Sequence, residues 1–153
     1  MFPLLIGGVA IWVLWSMSSV YEMAFAAGKA LGMMKLVKLG SGLLPEEMSK
    51  YFVAMQQAAA KDGIQLTLSS GFRTMAEQVA LYARYLATGS PLAAKPGYSN
   101  HQSGKAVDIN VGGNNQTSPE YKWLAANAKR FGFVNTGANF SKVEYWHWDW
   151  TKP

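Results

Sequence analysis

The 153-residue chain contains no cysteine and only two histidines, His101 and His147. A disulfide framework, a thiolate nucleophile and any cysteine-ligated metal site are therefore excluded. A metal ion would have to be held by histidine, aspartate or glutamate, with at most two imidazoles among its ligands. Charge is also scarce, because 15% of the residues are charged and 50% are hydrophobic. This composition excludes a disordered chain and a coiled coil.

The net charge of +5 comes from 14 lysines and arginines against nine acidic residues. Such a charge suits an anionic cell-wall polymer, a membrane surface or nucleic acid. The basic residues are scattered along the chain and do not form the clustered patch that is typical of nucleic-acid binding. We therefore expect no nucleic-acid partner.

Residues 1–21 contain no aspartate, glutamate, lysine or arginine. Their number is about that needed for a helix to cross a hydrocarbon core of roughly 30 Å. We expect a membrane segment here, forming an N-terminal transmembrane or hydrophobic helix. The alternatives are a buried core helix and a signal peptide, although no basic region precedes the apolar stretch as a signal peptide requires.

The chain is divided by its composition into three segments. After the hydrophobic segment, residues 22–42 predict a juxtamembrane helix or linker, with a hinge at Gly40-Ser41-Gly42. By the positive-inside rule the lysines of this linker favour a cytoplasmic location for it. Residues 43–153 then form the expected globular domain.

Local patterns predict the secondary structure of that domain. Capping residues and apolar spacing predict helices over residues 45–61, 74–87 and 118–130. Alternating apolar residues predict strands over residues 64–68, 106–111, 133–134 and 143–150. The second helix is expected to turn four apolar side chains inward, Val79, Leu81, Tyr82 and Leu86. Because helices and strands interleave irregularly, the fold class is α+β, with a small antiparallel sheet flanked by helices.

The first candidate site residues lie in and just before the second predicted strand, residues 106–111. Alternation along residues 106–111 turns Asp108 away from the apolar face, where a carboxylate needs a partner. His101 lies seven positions earlier, at the end of a loop, and can fold back to meet it. The alternative is a surface histidine and a strand-edge aspartate that never touch.

The second histidine lies in an aromatic segment, three residues after Glu144. Two histidines and an aspartate would leave a tetrahedral zinc ion one open position for water, as in catalytic zinc sites. An acidic residue would then take a proton from that water. On a regular strand His147 shares a face with Asp149 and not with Glu144. The spacing alone does not decide whether Glu144 or Asp149 takes this proton. It also allows His147 to be a polar residue of the core.

A third candidate is Arg73, at the turn between a strand and the second helix. A guanidinium there can present a planar fork to a carboxylate or carbonyl group. Gln78 follows about one helical turn later. The alternative is a structural salt bridge of Arg73.

Four motifs occur in an order that resembles a known family. They are Ser70-Gly71-Phe72-Arg73 with Gln78; Pro96-Gly97 with Ser99-x-His101-x-x-Gly104-x-Ala106-x-Asp108; Trp123-Leu124-x-x-Asn127-Ala128 with Phe131-Gly132-Phe133; and Glu144-x-Trp146-His147. Over roughly residues 43–150 the chain resembles the zinc D-Ala-D-Ala carboxypeptidases of the VanY and VanX type, which include phage L-alanyl-D-glutamate endolysins.

The resemblance implies a Hedgehog/D-Ala-D-Ala-peptidase-like fold, a Zn²⁺ cofactor and roles for individual residues. Implied zinc ligands are His101, Asp108 and His147; the implied catalytic residues are Glu144, as the base, and Arg73; the implied substrate-binding residues are Arg73, Gln78 and Ser99. The resemblance thus favours Glu144 over Asp149 as the base. One departure concerns Tyr145, because the family commonly has a strand-bending proline at this position.

The expected function is hydrolysis of the peptidoglycan stem peptide by a membrane-tethered zinc peptidase of the D-Ala-D-Ala carboxypeptidase type. An L-alanyl-D-glutamate endopeptidase is one alternative, and a non-catalytic, zinc-stabilised structural or binding module is another. The expected location is either a bacteriophage virion, in an internal membrane or among other virion proteins, or the bacterial cell envelope and periplasm.

Overall fold

Six short strands, three α-helices and two 3₁₀ turns make up the part of the chain that the computed structural model describes, residues 34–153. The α-helices are α1 (Glu46–Lys61), α2 (Met75–Thr88) and α3 (Pro119–Asn127), and the 3₁₀ turns are Ala128–Phe131 and Thr136–Asn139. The strands are β1 (Leu36–Leu39), β2 (Gly42–Pro45), β3 (Leu68–Ser70), β4 (Ala106–Ile109), β5 (Phe133–Val134) and β6 (His147–Trp150).

The strands form two antiparallel sheets. Strands β1 and β2 pair as a hairpin, and the other four form a sheet in the order β3-β4-β6-β5. The central pair sets Asp108 directly opposite His147. The prediction of an α+β fold with a small antiparallel sheet is confirmed.

The predicted membrane segment over residues 1–21 lies outside the described residues, as does the linker up to residue 33. Within residues 34–153 no helix has both the length and the apolar character needed to cross a membrane.

Residues 36–45 form a hairpin where the sequence predicts a linker and a hinge. Gly40, with φ of +54°, begins the turn, because a left-handed backbone is readily adopted only by glycine. The Ser41 hydroxyl donates to the carbonyl of Leu68 at 2.8 Å, and Phe72 N–H donates to the Leu43 carbonyl at 2.6 Å. The predicted hinge is therefore a turn that is hydrogen-bonded to the rest of the domain.

Helix α1 supplies the largest block of the core. Its buried side chains recur at helical spacing on one face, at Met48, Phe52, Met55 and Ala59. Phe52 packs edge-on against Phe133 of β5, with ring centroids 6.0 Å apart. Two glutamates in the first turn suit the positive end of the helix dipole. The predicted first helix is confirmed.

Helix α2 has the predicted ends but not the predicted buried face. Thr74 and Glu77 form a reciprocal capping box, and Gly89, with φ of +71°, ends the helix. Val79 and Leu86 are nevertheless 46% and 67% exposed, so the inward orientation predicted for them is wrong. The reason is that the described core is built by α1, α3 and the sheet, and no residue of α2 belongs to it.

The third helix begins as predicted, with Ser118 accepting from Tyr121 N–H and Pro119 in the first turn. Three predicted strands have different bounds. Strand β4 ends at Ile109 and not at residue 111. Strand β3 begins at Leu68 and not at residue 64, because the Leu66 carbonyl accepts from the side chain of Gln56 at 2.8 Å. Strand β6 begins at His147 and not at residue 143, and this shift shapes the site described next.

Candidate metal centre and surrounding cavity

Three side chains converge at the centre of the four-stranded sheet. The Asp108 Oδ1 atom lies 3.2 Å from His147 Nδ1 and 3.3 Å from His101 Nε2. The two imidazole nitrogens lie 3.3 Å from each other. Strand pairing brings Asp108 and His147 together, while His101 reaches them from the loop before β4. The predicted contact between His101 and Asp108 is thus present.

The spacing of these three atoms fits a tetrahedral metal ion. Zinc bonds of about 2.0–2.1 Å at tetrahedral angles would place neighbouring ligand atoms about 3.3 Å apart. The observed edges of 3.2–3.3 Å form such a triangle. His101 and His147 are 5% and 6% exposed, so the site is enclosed by protein. These residues can therefore hold a metal ion, with a fourth position open.

The outer nitrogens of the two imidazoles have different partners. His101 Nδ1 lies 2.8 Å from the Gly71 carbonyl oxygen. His147 Nε2 is buried 3.4 Å from Asp149 Oδ1. Contacts of this kind orient metal-ligating histidines and set the tautomer. At position 71 of the Ser-Gly-Phe-Arg motif only glycine fits, because a Cβ there would collide with the Leu43 carbonyl.

Asp149 is held in place from two sides. Thr136 Oγ1 donates to Asp149 Oδ2 at 2.9 Å, and Asn100 Nδ2 donates to both carboxylate oxygens at 3.0 and 3.1 Å. Burial raises the pKa of Asp149, but hydrogen bonds from His147, Thr136 and Asn100 outweigh burial and lower it. Asp149 therefore lies ionised behind His147, on the side away from the cavity.

The electrostatics of the triad favour an ionised aspartate. Burial raises the pKa of Asp108, but hydrogen bonds from His101 and His147 outweigh it and lower the pKa to about 2. Burial lowers the pKa of His147, yet the hydrogen bonds to Asp108 and Asp149 outweigh it and raise the pKa to about 9. Without a metal, a proton on His147 therefore offsets part of the negative charge of Asp108 and Asp149.

Glu144 shares the cavity with the triad because residues 144–147 form a turn and not a strand. His147 N–H donates to the Glu144 carbonyl at 3.1 Å, which closes the turn. The side chains of Glu144 and His147 line the same cavity. On a regular strand they would point to opposite faces, but the turn removes this restriction. Burial raises the pKa of Glu144, the neighbouring His147 opposes this, and the net shift is upward. Of the two candidate acids, only Glu144 lines this cavity.

Arg73 and Ser99 line the cavity as well. Arg73 Nη1 donates to Gln78 Oε1 at 2.8 Å. No carboxylate within the described residues lies within 4.0 Å of the Arg73 guanidinium. The alternative that Arg73 forms a structural salt bridge is therefore wrong for this part of the chain. The Ser99 hydroxyl accepts from the backbone N–H of His101 at 3.3 Å.

Gln78 lies behind the cavity wall. Its side chain is 0% exposed, and its amide donates to the Ala94 carbonyl at 2.8 Å while accepting from Arg73. In the structure it therefore supports Arg73 and does not itself line the cavity, in contrast to the substrate contact that the resemblance implies.

The cavity has a volume of about 690 Å³, within the range typical of small-molecule and peptide sites. Its lining combines the polar groups of the triad, Glu144 and Arg73 with apolar side chains, among them Leu81, Pro91, Leu92 and Phe140. Such a site can bind an extended peptide end and polarise one of its carbonyl groups.

Several site residues have no signal in the sequence alone. Asn100 and Thr136 contact Asp149 across 49 and 13 positions. Gly137 lets the Glu144 backbone approach closely, because a Cβ there would collide with the Glu144 carbonyl. Only glycine at position 137 could have been noticed, as a residue that permits close approach.

Fold and site together define residues 34–153 as an α+β domain in which two histidines and an aspartate, a triad that could hold a metal ion, lie beside a glutamate and an arginine. The match to known proteins is equally specific. The family model described as VanY, D-alanyl-D-alanine carboxypeptidase, matches residues 42–152. The chain belongs to this family, and the resemblance seen in its motifs is confirmed.

Two curated relatives are D-alanyl-D-alanine carboxypeptidases of enterococci. The protein of Enterococcus faecalis is 39% identical over 102 residues, covering 57% of this chain and 38% of the relative. That of Enterococcus faecium is 31% identical over 115 residues, covering 68% of this chain and 36% of the relative. The chain thus spans little more than a third of the length of these relatives.

Solved structures of the family share the fold. VanY of the VanB-type resistance cassette in complex with Zn(II) is 30% identical with a TM-score of 0.60, covering 76% of this chain and 78% of that one. VanYB in complex with D-alanine-D-alanine is 32% identical with a TM-score of 0.60, covering 76% and 77%. The LD-carboxypeptidase LdcB is 25% identical with a TM-score of 0.63, covering 76% and 63%.

Proposed function

We propose that the domain is a zinc-dependent carboxypeptidase that removes the terminal D-alanine from the peptidoglycan stem peptide. The observation that carries the proposal is the triangle of His101, Asp108 and His147, with edges of 3.2–3.3 Å, in one cavity with Glu144. The zinc and the D-alanine-D-alanine in two related structures support the choice of metal and substrate.

His101 Nε2, His147 Nδ1 and Asp108 Oδ1 would hold the zinc ion. When bound, zinc polarises the scissile carbonyl group and lowers the pKa of water, so that the attack proceeds near neutral pH. The chain prepares the ligands, because Gly71 and Asp149 hold the outer nitrogens of the imidazoles. Burial of the triad keeps competing bulk water away.

Glu144 is the general base of the proposed reaction. Its carboxylate takes a proton from the attacking water, whose oxygen bonds to the carbonyl carbon. As the carbon–nitrogen bond breaks, the same proton passes to the amine of the leaving D-alanine. The upward shift of the Glu144 pKa suits this exchange, since a base that must also release its proton works best when its pKa approaches the working pH.

Arg73 binds the terminal carboxylate of the peptide or stabilises the oxygen that gains charge. Its guanidinium presents a fork of donors that matches a carboxylate. Gln78 accepts from Nη1 at 2.8 Å, Ser70 Oγ accepts from Nη2 at 3.4 Å, and Arg73 lines the cavity. Ser99 lies beside it on the wall and is a further contact for the peptide. An arginine in this place favours substrates that end in a free carboxylate.

The test compares wild-type protein with Glu144→Gln on purified muropeptides. Wild-type protein should release free D-alanine from pentapeptide stems, and Glu144→Gln should lower kcat by about 10²- to 10⁴-fold while retaining zinc. Mass spectrometry of the products and a chelator-competition measurement of zinc check these results. The control is Glu120→Gln, which removes a carboxylate in the first turn of α3, away from the cavity.

Other products would contradict the proposal in distinguishable ways. Cleavage between L-alanine and D-glutamate would identify an endopeptidase. Removal of the last residue from tetrapeptide stems alone would identify an LD-carboxypeptidase. Folding that depends on zinc, with no hydrolysis by any form of the protein, would indicate a structural or binding module.

We also propose that residues 1–21 tether the enzyme to a membrane, in the bacterial envelope or in a phage particle. The support is the lack of any charged side chain in this segment. Full-length protein should sediment with membranes and resist extraction by high salt, and Val9→Arg within the segment should release it. Recovery from purified virions would favour the phage location, and a wild-type chain that stays in the soluble fraction would contradict tethering.

A further inference from the structure

The backbone around Glu144 is held by a residue from a different loop, Asn114. The Asn114 Nδ2 atom donates to the carbonyl of Val143 at 2.8 Å. The Asn114 Oδ1 atom accepts from the N–H of Tyr145 at 2.8 Å. One side-chain amide thus contacts the residues immediately before and after Glu144, from a position 30 residues earlier in the chain.

The two hydrogen bonds of Asn114 hold residues 143–145, which belong to no strand. Strand β6 begins only at His147, so Val143 and Tyr145 have no partner in the sheet ladder. The Glu144 N–H donates to the Gly137 carbonyl at 2.9 Å, and the Glu144 carbonyl accepts from the His147 N–H at 3.1 Å. Both hydrogen bonds of Asn114 are exposed. Without Asn114, water would take the place of the amide at the Tyr145 N–H, and the backbone on either side of Glu144 would lose its link to the loop after β4.

The position of Asn114 is itself defined by the fold. It follows Gly112 and Gly113, whose φ angles of +68° and +83° turn the chain after β4. A bridge between Val111 and Asn114 closes this loop. Because β4 also carries Asp108, the loop links the position of Glu144 to the strand that holds the metal triad.

We propose that Asn114 is a positioning residue for the catalytic base, which it acts on through the backbone of residues 143–145. This inference rests on the role of Glu144 in the proposed function and adds a residue to that site. It also explains how this chain tolerates Tyr145 in place of proline. Unlike proline, tyrosine has a backbone N–H that needs an acceptor. In this chain Asn114 supplies that acceptor.

The test begins with Asn114→Ala in the full-length, zinc-loaded protein. A shift of about 1 Å in a catalytic group can cost about 100-fold in rate. We expect kcat for D-alanine release to fall about 10- to 100-fold, with KM and zinc affinity within about twofold of wild type. The matched control is Asn115→Ala, because Asn115 makes its two side-chain contacts within its own loop, to Thr117.

A double-mutant cycle separates backbone positioning from general stability. Proline suits the second position of a four-residue turn and has no N–H to satisfy. The penalty for Asn114→Ala should therefore be several-fold smaller in a Tyr145→Pro background than in a Tyr145→Ala background. Both backgrounds lose the ring of Tyr145 and its edge-on contact with Tyr121, at 5.0 Å, so they differ only in the backbone.

Three results would overturn the inference: an Asn114→Ala protein with wild-type kcat, an equal loss in Asn115→Ala, or equal penalties in the two Tyr145 backgrounds. If Asn114→Ala does not fold, the kcat comparison with the Asn115 control is made with Asn114→Asp, which loses the donor to Val143, and the comparison of the two Tyr145 backgrounds is made with Asn114→Leu, which has about the size of asparagine and lacks both the donor and the acceptor. These outcomes are distinct from failure of the proposed function, which would appear as a wild-type protein without D-alanine release or as an active Glu144→Gln variant.

Discussion

The two walls of the cavity are built in different ways. The metal wall is formed by Asp108 and His147 on the central strands of the sheet and by His101 on the loop before β4, and it is backed by the core. A second wall, which we term the outer wall, is formed by α2, through Leu81, and by the loop over residues 89–98. Its helix contributes nothing to the described core, and its one buried residue is Gln78. One wall is therefore pre-formed by packing, whereas the other is attached by a few polar contacts.

The difference has a physical consequence for binding. Three ligand atoms must keep their spacing to within a few tenths of an ångström to hold a metal ion, and only a packed core provides such rigidity. A wall that contacts substrate gains from local adjustment, and segments with few buried apolar contacts are the first to open. The exposed Leu86 and Met75 on α2, at 67% and 44%, mark this weakly packed side.

The largest expected effect comes from removing a ligand of the metal wall. His147→Ala should lower zinc affinity by about a hundredfold or more, since each ligand supplies a large share of the binding free energy of a zinc site. Hydrolysis should fall to background. Competition with a chromogenic chelator and assays of D-alanine release measure the two effects. Unchanged zinc binding would exclude His147 as a ligand.

A pair of leucines tests the difference in packing. Leu44 is 0% exposed in the core, and Leu86 of the outer wall is 67% exposed. Leu44→Ala should lower the free energy of unfolding by about 2–5 kcal/mol, and Leu86→Ala by less than about 0.5 kcal/mol. Urea unfolding of the zinc-loaded variants measures both values. Similar losses in the two variants would show that the outer wall is packed as tightly as the core.

The metal wall should also respond to pH once the metal is removed. The pKa of His147 is raised from 6.5 to about 9, so its proton stabilises the folded state fully below pH 6.5 and ceases to do so as pH rises through 9. Chelated protein should therefore lose on the order of 2 kcal/mol of stability between pH 6.5 and 9. Zinc-loaded protein, with a neutral imidazole, should not show this loss. A flat profile for chelated His147→Gln is the expected control, and a flat wild-type profile would contradict the charge balance described above.

The smallest expected effect concerns the outer wall. Gln78→Leu removes the acceptor of Arg73 and the donor to Ala94. We expect kcat/KM to fall about tenfold, because Arg73 loses one of its orienting hydrogen bonds, while zinc affinity stays unchanged. Gln78→Glu keeps an acceptor for Arg73 and should lose less. Equal effects on zinc affinity and kcat/KM would show that the two walls are not independent.

Local features of the fold were predictable because they depend on neighbours in the chain. The capping box of Thr74 and Glu77 joins residues three apart, and the spacing of buried residues in α1 follows one helical face. Strand alternation and a short return loop allowed His101 to meet Asp108, although the pattern also allowed the two residues to lie apart. With no cysteine and two histidines, the metal-ligand candidates were also few.

Features that depend on distant partners were not predictable. The bounds of β6 and the turn at Glu144 rest on Gly137 and on Asn114, and nothing in the aromatic segment itself signals either contact. The inward face predicted for α2 failed for a similar reason. Amphipathic spacing shows which side chains share a face, but not whether another element covers that face.

The amino-acid sequence by itself determined which groups are present for chemistry and in what order, since residue type decides what can bind a metal ion, carry a proton or recognise a carboxylate. The tertiary structure alone decided which nitrogen of each histidine faces the triad, that Glu144 and not Asp149 lines the cavity, and that Gln78 supports Arg73 from behind. Each of these features depends on the direction of a side chain and on distances of a few ångströms between side chains. They are settled by contacts between residues far apart in the chain, such as His101 with Gly71 and Asn100 with Asp149.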